Sequence, residues 1–330
     1  MAVSRRDVLQ SSAAAALLAG VGQRAFAQAF PYDTVKIITG FPPGGTSDTI
    51  CRRVATKLAP GYGKSVVVEN RAGAGGQIAI QSFKTMAPDG TALLQTPMSM
   101  LGIYPHIYKK LQYDPVADVM PASLGAVFDF GFAVGPAVPA SVRNIADFLA
   151  WCKANPTQAN FGSPAAGSVP HFIGVLIGRS AGLDLKHVPY RGTQPAILEM
   201  IGGQIQSVSG PVGEFTQHVA AGKIRLLATT GATRNKFAPN VPTLVEQGLK
   251  DMAYNEWFGF YLPAKSSPEV VQRANAALRS ALAEKDVADG LEVMGLEAKS
   301  SSPAELAAML KADTERWGPV VKAIGFTAES

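Results

Sequence analysis

The sequence predicts an α/β protein of two α/β domains joined by a hinge, with a ligand cleft between them. Three observations carry that expectation. Strand-like and helix-like segments alternate from residue 33 onward, and the alternation starts afresh near residue 124. Two long amphipathic helices close the chain and can pack back on its first half.

Each element follows from its pattern. "TVKIITGF" is a β-branched run, and "TICRRVATKLAP" has helical spacing with apolar residues at 50, 54, 55 and 58. "KSVVVENR" reads as strand, "GGQIAIQSFKTMA" as helix and "TALLQTP" as strand. In the second series "SLGAVFDFGFAVG" is strand, and "SVRNIADFLAWCKAN" is a helix with Ser141 or Asn144 as its cap. Strands then fall at "QANFGSP", "DLKHVPY", "QIQSVSG" and "IRLLATTG", with helices at "VPHFIGVLIGRSAG", "PAILEMIGG" and "EFTQHVAAGK". "YNEWFGFYLPA", 254–264, is strand-like. The closing helices span roughly 266–295 and 302–322, each opened by a capping-box pattern, Ser266-x-x-Glu269 and Ser302-x-x-Glu305. Packing of these helices on the first layer makes the chain cross twice, near 125–130 and near 250–258. The expected domains are therefore 30–127 with 254–330, and 128–253.

The first 27 residues are not part of this fold. A basic start, an Ala/Leu-rich stretch and Ala25-Phe26-Ala27 read as an export signal cleaved near Ala27, which places the mature protein in the periplasm. Ser4-Arg5-Arg6-Asp7-Val8-Leu9 fits the twin-arginine pattern; an ordinary secretory signal with paired arginines is the alternative. Without 1–27 the chain carries 27 basic and 24 acidic side chains, a net +3 with no basic run, which gives no case for nucleic acid. Cys51 and Cys152 lie in helix-like apolar patterns and read as buried, unpaired thiols. Two cysteines and four scattered histidines offer no metal-site spacing, and no cofactor is expected.

The segment "ITGFPPGGTSDTI", 38–50, places Phe41-Pro42-Pro43-Gly44-Gly45 between a strand and a helix opening at Thr46 or Ser47. The first amides of a helix lack intrahelical acceptors and sit at its positive end. Glycine lets an anion approach that backbone closely. "NFGSPAAGSVPHF" repeats the arrangement in the second half, with Ser163-Pro164-Ala165-Ala166-Gly167 before Ser168 as N-cap. "VPYRGTQPAI" is a weaker third case around Arg191 and Gly192. Any one such loop is equally a turn with a good cap; a pair facing one cleft suits a ligand with two negative ends, most simply a dicarboxylate. "GAGGQIA", 73–79, fails the dinucleotide pattern because Ile78 stands where the third glycine belongs, and close helix packing is its expected role. No nucleophile elbow or acid–base set is visible, so no enzyme is expected. His171 reads as a packing or rim residue, Asp48 as a complement to the helix dipole, and Arg191 as either a carboxylate clamp or a solvated loop residue.

The motifs "FPPGGTSDTICRRVATKL", "VVVENRAGAGGQIA", "APDGTALL", "YKKLQYDPVAD", "HVPYRGTQPAI" and "GGQIQ" run in order along the chain. They resemble the substrate-binding proteins of tripartite tricarboxylate transporters, the Bordetella uptake gene or TctC-like family. The resemblance implies a type II periplasmic-binding-protein fold that closes on an organic carboxylate, held largely by backbone amides and water. It implies a monomer that delivers its ligand to TctA/TctB-like membrane subunits; a ligand-presenting partner of a sensor kinase and a periplasmic enzyme on the same fold are the rivals. It assigns ligand contacts to the loops 41–47 and 163–168, to Thr96, Pro97, Met98 and Ser99, and to the neighbourhood of His171, Arg191 and Gly192. Where the family commonly has an Asp-Asn pair, this chain reads Gly210-Pro211. The missing aspartate argues against an amino-acid ligand. Phe41, Met98, Met100 and Trp257 could line a less polar middle, so the expected ligand is a carboxylate with an apolar or aromatic body.

Overall fold

The computed structural model describes residues 32–59 and 61–328. The expected export signal and its cleavage site lie outside the described residues. In chain order the elements are β1 (Tyr32–Thr39), α1 (Thr46–Leu58), β2 (Gly63–Asn70), α2 (Gln77–Phe83), β3 (Ala92–Pro97), and the short α3 (Met98–Gly102) and α4 (Tyr104–Ile107). The long β4 (Val119–Val134) follows, then α5 (Ile145–Ala154), β5 (Asn160–Ser163), α6 (Val169–Arg179), β6 (Lys186–Pro189), α7 (Thr193–Ile201), β7 (Ser207–Pro211), α8 (Val212–Ala220) and β8 (Arg225–Thr229). The chain ends with β9 (Asn255–Pro263), α9 (Pro268–Ala283), α10 (Lys285–Glu292), β10 (Glu297–Ala298) and α11 (Pro303–Ile324).

The strand order is β2-β1-β3-β9-β4-β7-β5-β6, with β8 and β10 also pairing with β4. β1 runs parallel to β2 and β3, and β5 runs parallel to β6 and β7, as β-α-β alternation requires. β4 joins the two halves. Its residues 119–129 pair antiparallel with β9 in the first half, and residues 130–134 pair with β7 and β8 in the second. The chain returns beside this crossing, where the Tyr254 amide donates to Thr230 O and β9 begins. Both passages between the halves therefore run side by side near Phe130 and Tyr254.

Burial follows the periodicity. Val35, Ile37 and Ile38 of β1 and Ile50, Cys51 and Val54 of α1 are fully buried. The helices α9 and α11 pack on β4, contributing Leu278, Leu306 and Leu310 to the core. Cys51 and Cys152 are free and buried, as expected. The glycine run 73–76 serves a tight turn. Gly73, Gly75 and Gly76 all have positive φ, and a Cβ on Gly75 would stand 2.3 Å from the Tyr104 hydroxyl. No helix among the described residues is long and apolar enough to cross a membrane.

The helix ends differ in part from their sequence patterns. Asn144 caps α5 by accepting the Asp147 amide at 2.8 Å, and the Ser302–Glu305 capping box is formed in full. The box expected at Ser266 is not. Ser267 is the N-cap, accepting the Val270 amide, and the Ser266 hydroxyl donates instead to Pro263 O. The long helix expected over 266–295 breaks at Glu284, whose extended backbone ends α9 and caps α10.

Candidate functional site

Two strand–loop–helix corners meet at the centre of the molecule. In the first, β1 ends at Thr39 and Phe41-Pro42-Pro43-Gly44-Gly45 leads into α1. Asp48, in the first turn of α1, fixes this loop. Its carboxylate accepts the Gly44 amide at 3.0 Å, Arg52 Nε at 2.9 Å and Asn70 Nδ2 at 2.9 Å. Burial opposes its charge, but these hydrogen bonds outweigh the burial and hold the carboxyl below its ordinary value. Asp48 thus ties down the loop as well as complementing the dipole.

The second corner, Pro164 to Ser168, leads from β5 into α6. It is braced from behind by a stacked imidazole pair, His171 and His187, with ring centroids 3.8 Å apart. His171 Nδ1 accepts the Gly167 amide at 2.9 Å, and His187 Nε2 lies 2.8 Å from Ser163 Oγ. Burial pushes His171 down to about 4; burial, with His171 beside it, pushes His187 down to about 3. Both are neutral packing groups at neutral pH. The Ser163–His187 pair lies behind the loop, off the cavity wall.

Between the corners lies a cavity that is partly open to solvent. The first corner supplies Phe41, Pro42, Gly45, Thr46 and Ser47 to its wall, and the β3–α3 junction supplies Pro97, Ser99 and Met100. The second corner supplies Pro164, Ala165, Ser168 and Pro170; Gly192 and Pro211 complete the expected contacts that reach it. The remaining sequence-assigned residues stand off the wall. Pro43, Gly44 and Arg191 are exposed and not among the lining residues. Thr96 and Met98 turn into the core, Ser163, Gly167 and His171 shape the second loop from behind, and Ala166 is half-buried beside it. Trp257 also faces away, its indole N–H donating to Asp313 Oδ2 at 2.7 Å. Gly210 lies behind Thr193: a Cβ there would stand 2.4 Å from Thr193 Cγ2.

Sequence reasoning missed the residues that set the chemistry of the wall. Phe128 and Phe130 of β4 and Phe258 of β9 line its apolar part, and Thr193 and Gln194 of α7 line its second-half side. Two buried acids, Glu214 and Glu256, are the charged groups among the lining residues. Glu214 Oε1, from the first turn of α8, accepts the Thr46 amide at 3.2 Å and the Thr46 hydroxyl at 2.9 Å; its Oε2 accepts Gln194 Nε2 at 3.2 Å. Glu256 Oε1 accepts the Ser99 amide at 2.8 Å and the Ser99 hydroxyl at 2.5 Å. Burial raises both acids against these donors, Glu256 to about 7 with Asp313 adding to the rise. A lone glutamate within the apolar run "YNEWFGFYLPA" was a signal for Glu256. Glu214 reads in sequence as an ordinary first-turn acid.

The family model described as the tripartite tricarboxylate transporter family receptor matches residues 50–326. The chain belongs to that family. Among solved structures, the periplasmic binding protein BugD superposes with a TM-score of 0.83 at 25% identity, covering 90% of this chain and 99% of BugD. Rpa4515 of R. palustris with adipate gives 0.84 at 27% identity, over 89% and 98% of the two chains. MatC of Rhodopseudomonas palustris with bound malate gives 0.81 at 26%, over 88% and 100%. The fold of this family member is thus the two-domain α/β periplasmic-binding-protein fold, and two of these relatives, Rpa4515 and MatC, were solved with a carboxylate, adipate and malate.

Proposed function

We propose that the mature protein is a periplasmic receptor that captures an organic carboxylate with an apolar or aromatic body and hands it to the membrane subunits of a tripartite tricarboxylate-type transporter. The observation that carries this reading is the pair of helix-opening corners facing one cavity, with the phenyl rings of Phe41, Phe128, Phe130 and Phe258 between them. Amides at a helix start favour negative charge, and the rings give a flat apolar body a surface to lie on. The adipate- and malate-bound relatives support the ligand class. The moving bodies are residues 30–127 with 254–330, and 128–253. They hinge where β4 and the start of β9 cross side by side. Ligand stabilises the closed arrangement only through contacts that the open one lacks. The protein binds its ligand without altering it.

The test is mass spectrometry of acids that co-purify with the protein, followed by thermal shifts against an acid panel. A ligand at 100 times its dissociation constant adds about 2.7 kcal/mol of apparent stability. That raises Tm by roughly 4 °C for a domain pair of this size. Failure of every organic acid to shift Tm refutes the ligand class, and recovery of a bound acid in chemically altered form refutes the binding role.

A further inference from the structure

The helix α1 begins without a side-chain cap of its own, because its N-cap is Gly45. The oxygen that meets its first amide comes from 168 residues away. Glu214, 6% exposed, crosses the cavity from α8 and takes both the amide and the hydroxyl of Thr46. A carboxylate therefore already sits at the positive end of a 13-residue helix, on the corner where one end of a ligand is expected. Ser99 is used in the same way. Its amide and hydroxyl hydrogen go to Glu256, while its Oγ accepts the amide of Val169, the first residue of α6, at 3.3 Å. No lysine, arginine or histidine is among the lining residues. A dianion entering the cavity would have to displace Glu214 and then remain beside that displaced carboxylate. Like charges held close without a counter-charge are unfavourable in a buried site.

We infer that Glu214 is a specificity-determining residue, a tethered carboxylate that fills one of the two anion seats so that the cleft accepts monocarboxylates with an apolar tail and discriminates against dicarboxylates. This inference rests on the carboxylate reading above and narrows it. The ligand's single carboxylate meets Thr193, the first residue of α7, beside the second corner, whose Gly167, Ser168 and Val169 amides already have acceptors. Its tail lies toward Phe128, Phe130 and Phe258, where an added charge finds no partner.

Calorimetric titration of the purified protein with two matched pairs tests this, hexanoate against adipate and benzoate against terephthalate. The native protein binds at least one monoacid at least tenfold more tightly than its diacid. Glu214→Ala vacates the seat and moves the monoacid-to-diacid affinity ratio at least tenfold toward the diacid. Glu214→Gln keeps the size and one acceptor oxygen but removes the charge; it shifts the ratio in the same direction by a smaller factor, and it carries the test if the alanine variant fails to fold. Tighter binding of either diacid by the native protein overturns the inference and leaves the carboxylate reading standing. So does a monoacid-to-diacid ratio that neither substitution moves. Failure of all four acids to bind the native protein and both variants overturns both.

Discussion

Glu256→Gln removes a buried carboxyl from the cavity while keeping an oxygen for the two Ser99 donors. Burial lifts Glu256 from 4.5 to about 7. Between those values the folded protein holds a proton that the unfolded chain has released. Stability therefore falls as pH rises through the window, and the loss is complete above pH 7. A rise of that size corresponds to about 3 kcal/mol. With an unfolding entropy of about 2.1 cal/mol/K per residue, this is roughly 5 °C in Tm. His171 and His187, held neutral by burial, add a slope of the opposite sign as pH rises towards 6.5. They are common to both proteins, so the quantity to read is the difference between the native protein and the variant. Scanning calorimetry at pH 5, 6, 7 and 8 and constant ionic strength should show the variant gaining roughly 4 °C on the native protein across the series. Parallel curves over pH 5–8 would refute the assignment of a buried, late-titrating carboxyl to this position.

Three further outcomes follow from local geometry. Gly210→Ala should cost about 1–3 kcal/mol in urea unfolding, because the new Cβ meets Thr193 Cγ2 at 2.4 Å, and a Thr193→Ala background should remove most of that cost. Ser302→Ala breaks a formed capping box and should cost about 1 kcal/mol; Glu269→Gln, whose box never forms, should stay within about 0.5 kcal/mol by the same measurement. Both thiols are buried and held above their ordinary values, Cys152 to about 12. A thiol reagent at pH 8 should therefore leave them unmodified until the protein is unfolded.

The parts of this architecture that are local in sequence could be read from sequence. The β-branched run of β1, the Gly/Pro corner and the helical spacing of α1 are consecutive, so each constrains the next, and the same holds for β5, its loop and α6. The break at Glu284 could not be read in this way, since no glycine or proline marks it. At residue 266 the serine pattern allowed two frames one residue apart, and the bond from the Ser266 hydroxyl to Pro263 O selects the other. The largest omission was chemical. Gly210 leaves no aspartate at its own position, yet Glu214 and Glu256 place two carboxyls in the cavity wall. Their partners lie 168 and 157 residues away, a distance over which composition and periodicity carry no information.

The same bonds bear on closure. The first corner touches the second half of the molecule through Thr46 and Glu214, Ser99 reaches Val169, and a Cβ on Gly192 would come within 2.9 Å of Pro42. These are contacts of chain with chain, so under the proposed hinge they would favour the closed arrangement before any ligand contributes. A ligand gains affinity only by the amount its own contacts exceed those it displaces. A monocarboxylate that leaves Thr46 to Glu214 displaces little, and its binding energy is that of the second corner and the phenyl wall. A dicarboxylate must first break the Thr46–Glu214 bonds that help to close the cleft, losing closure energy and gaining a repulsive neighbour in one step. In the proposed reading selectivity and closure are therefore one set of interactions, and a substitution at Glu214 that relaxes the first should loosen the second.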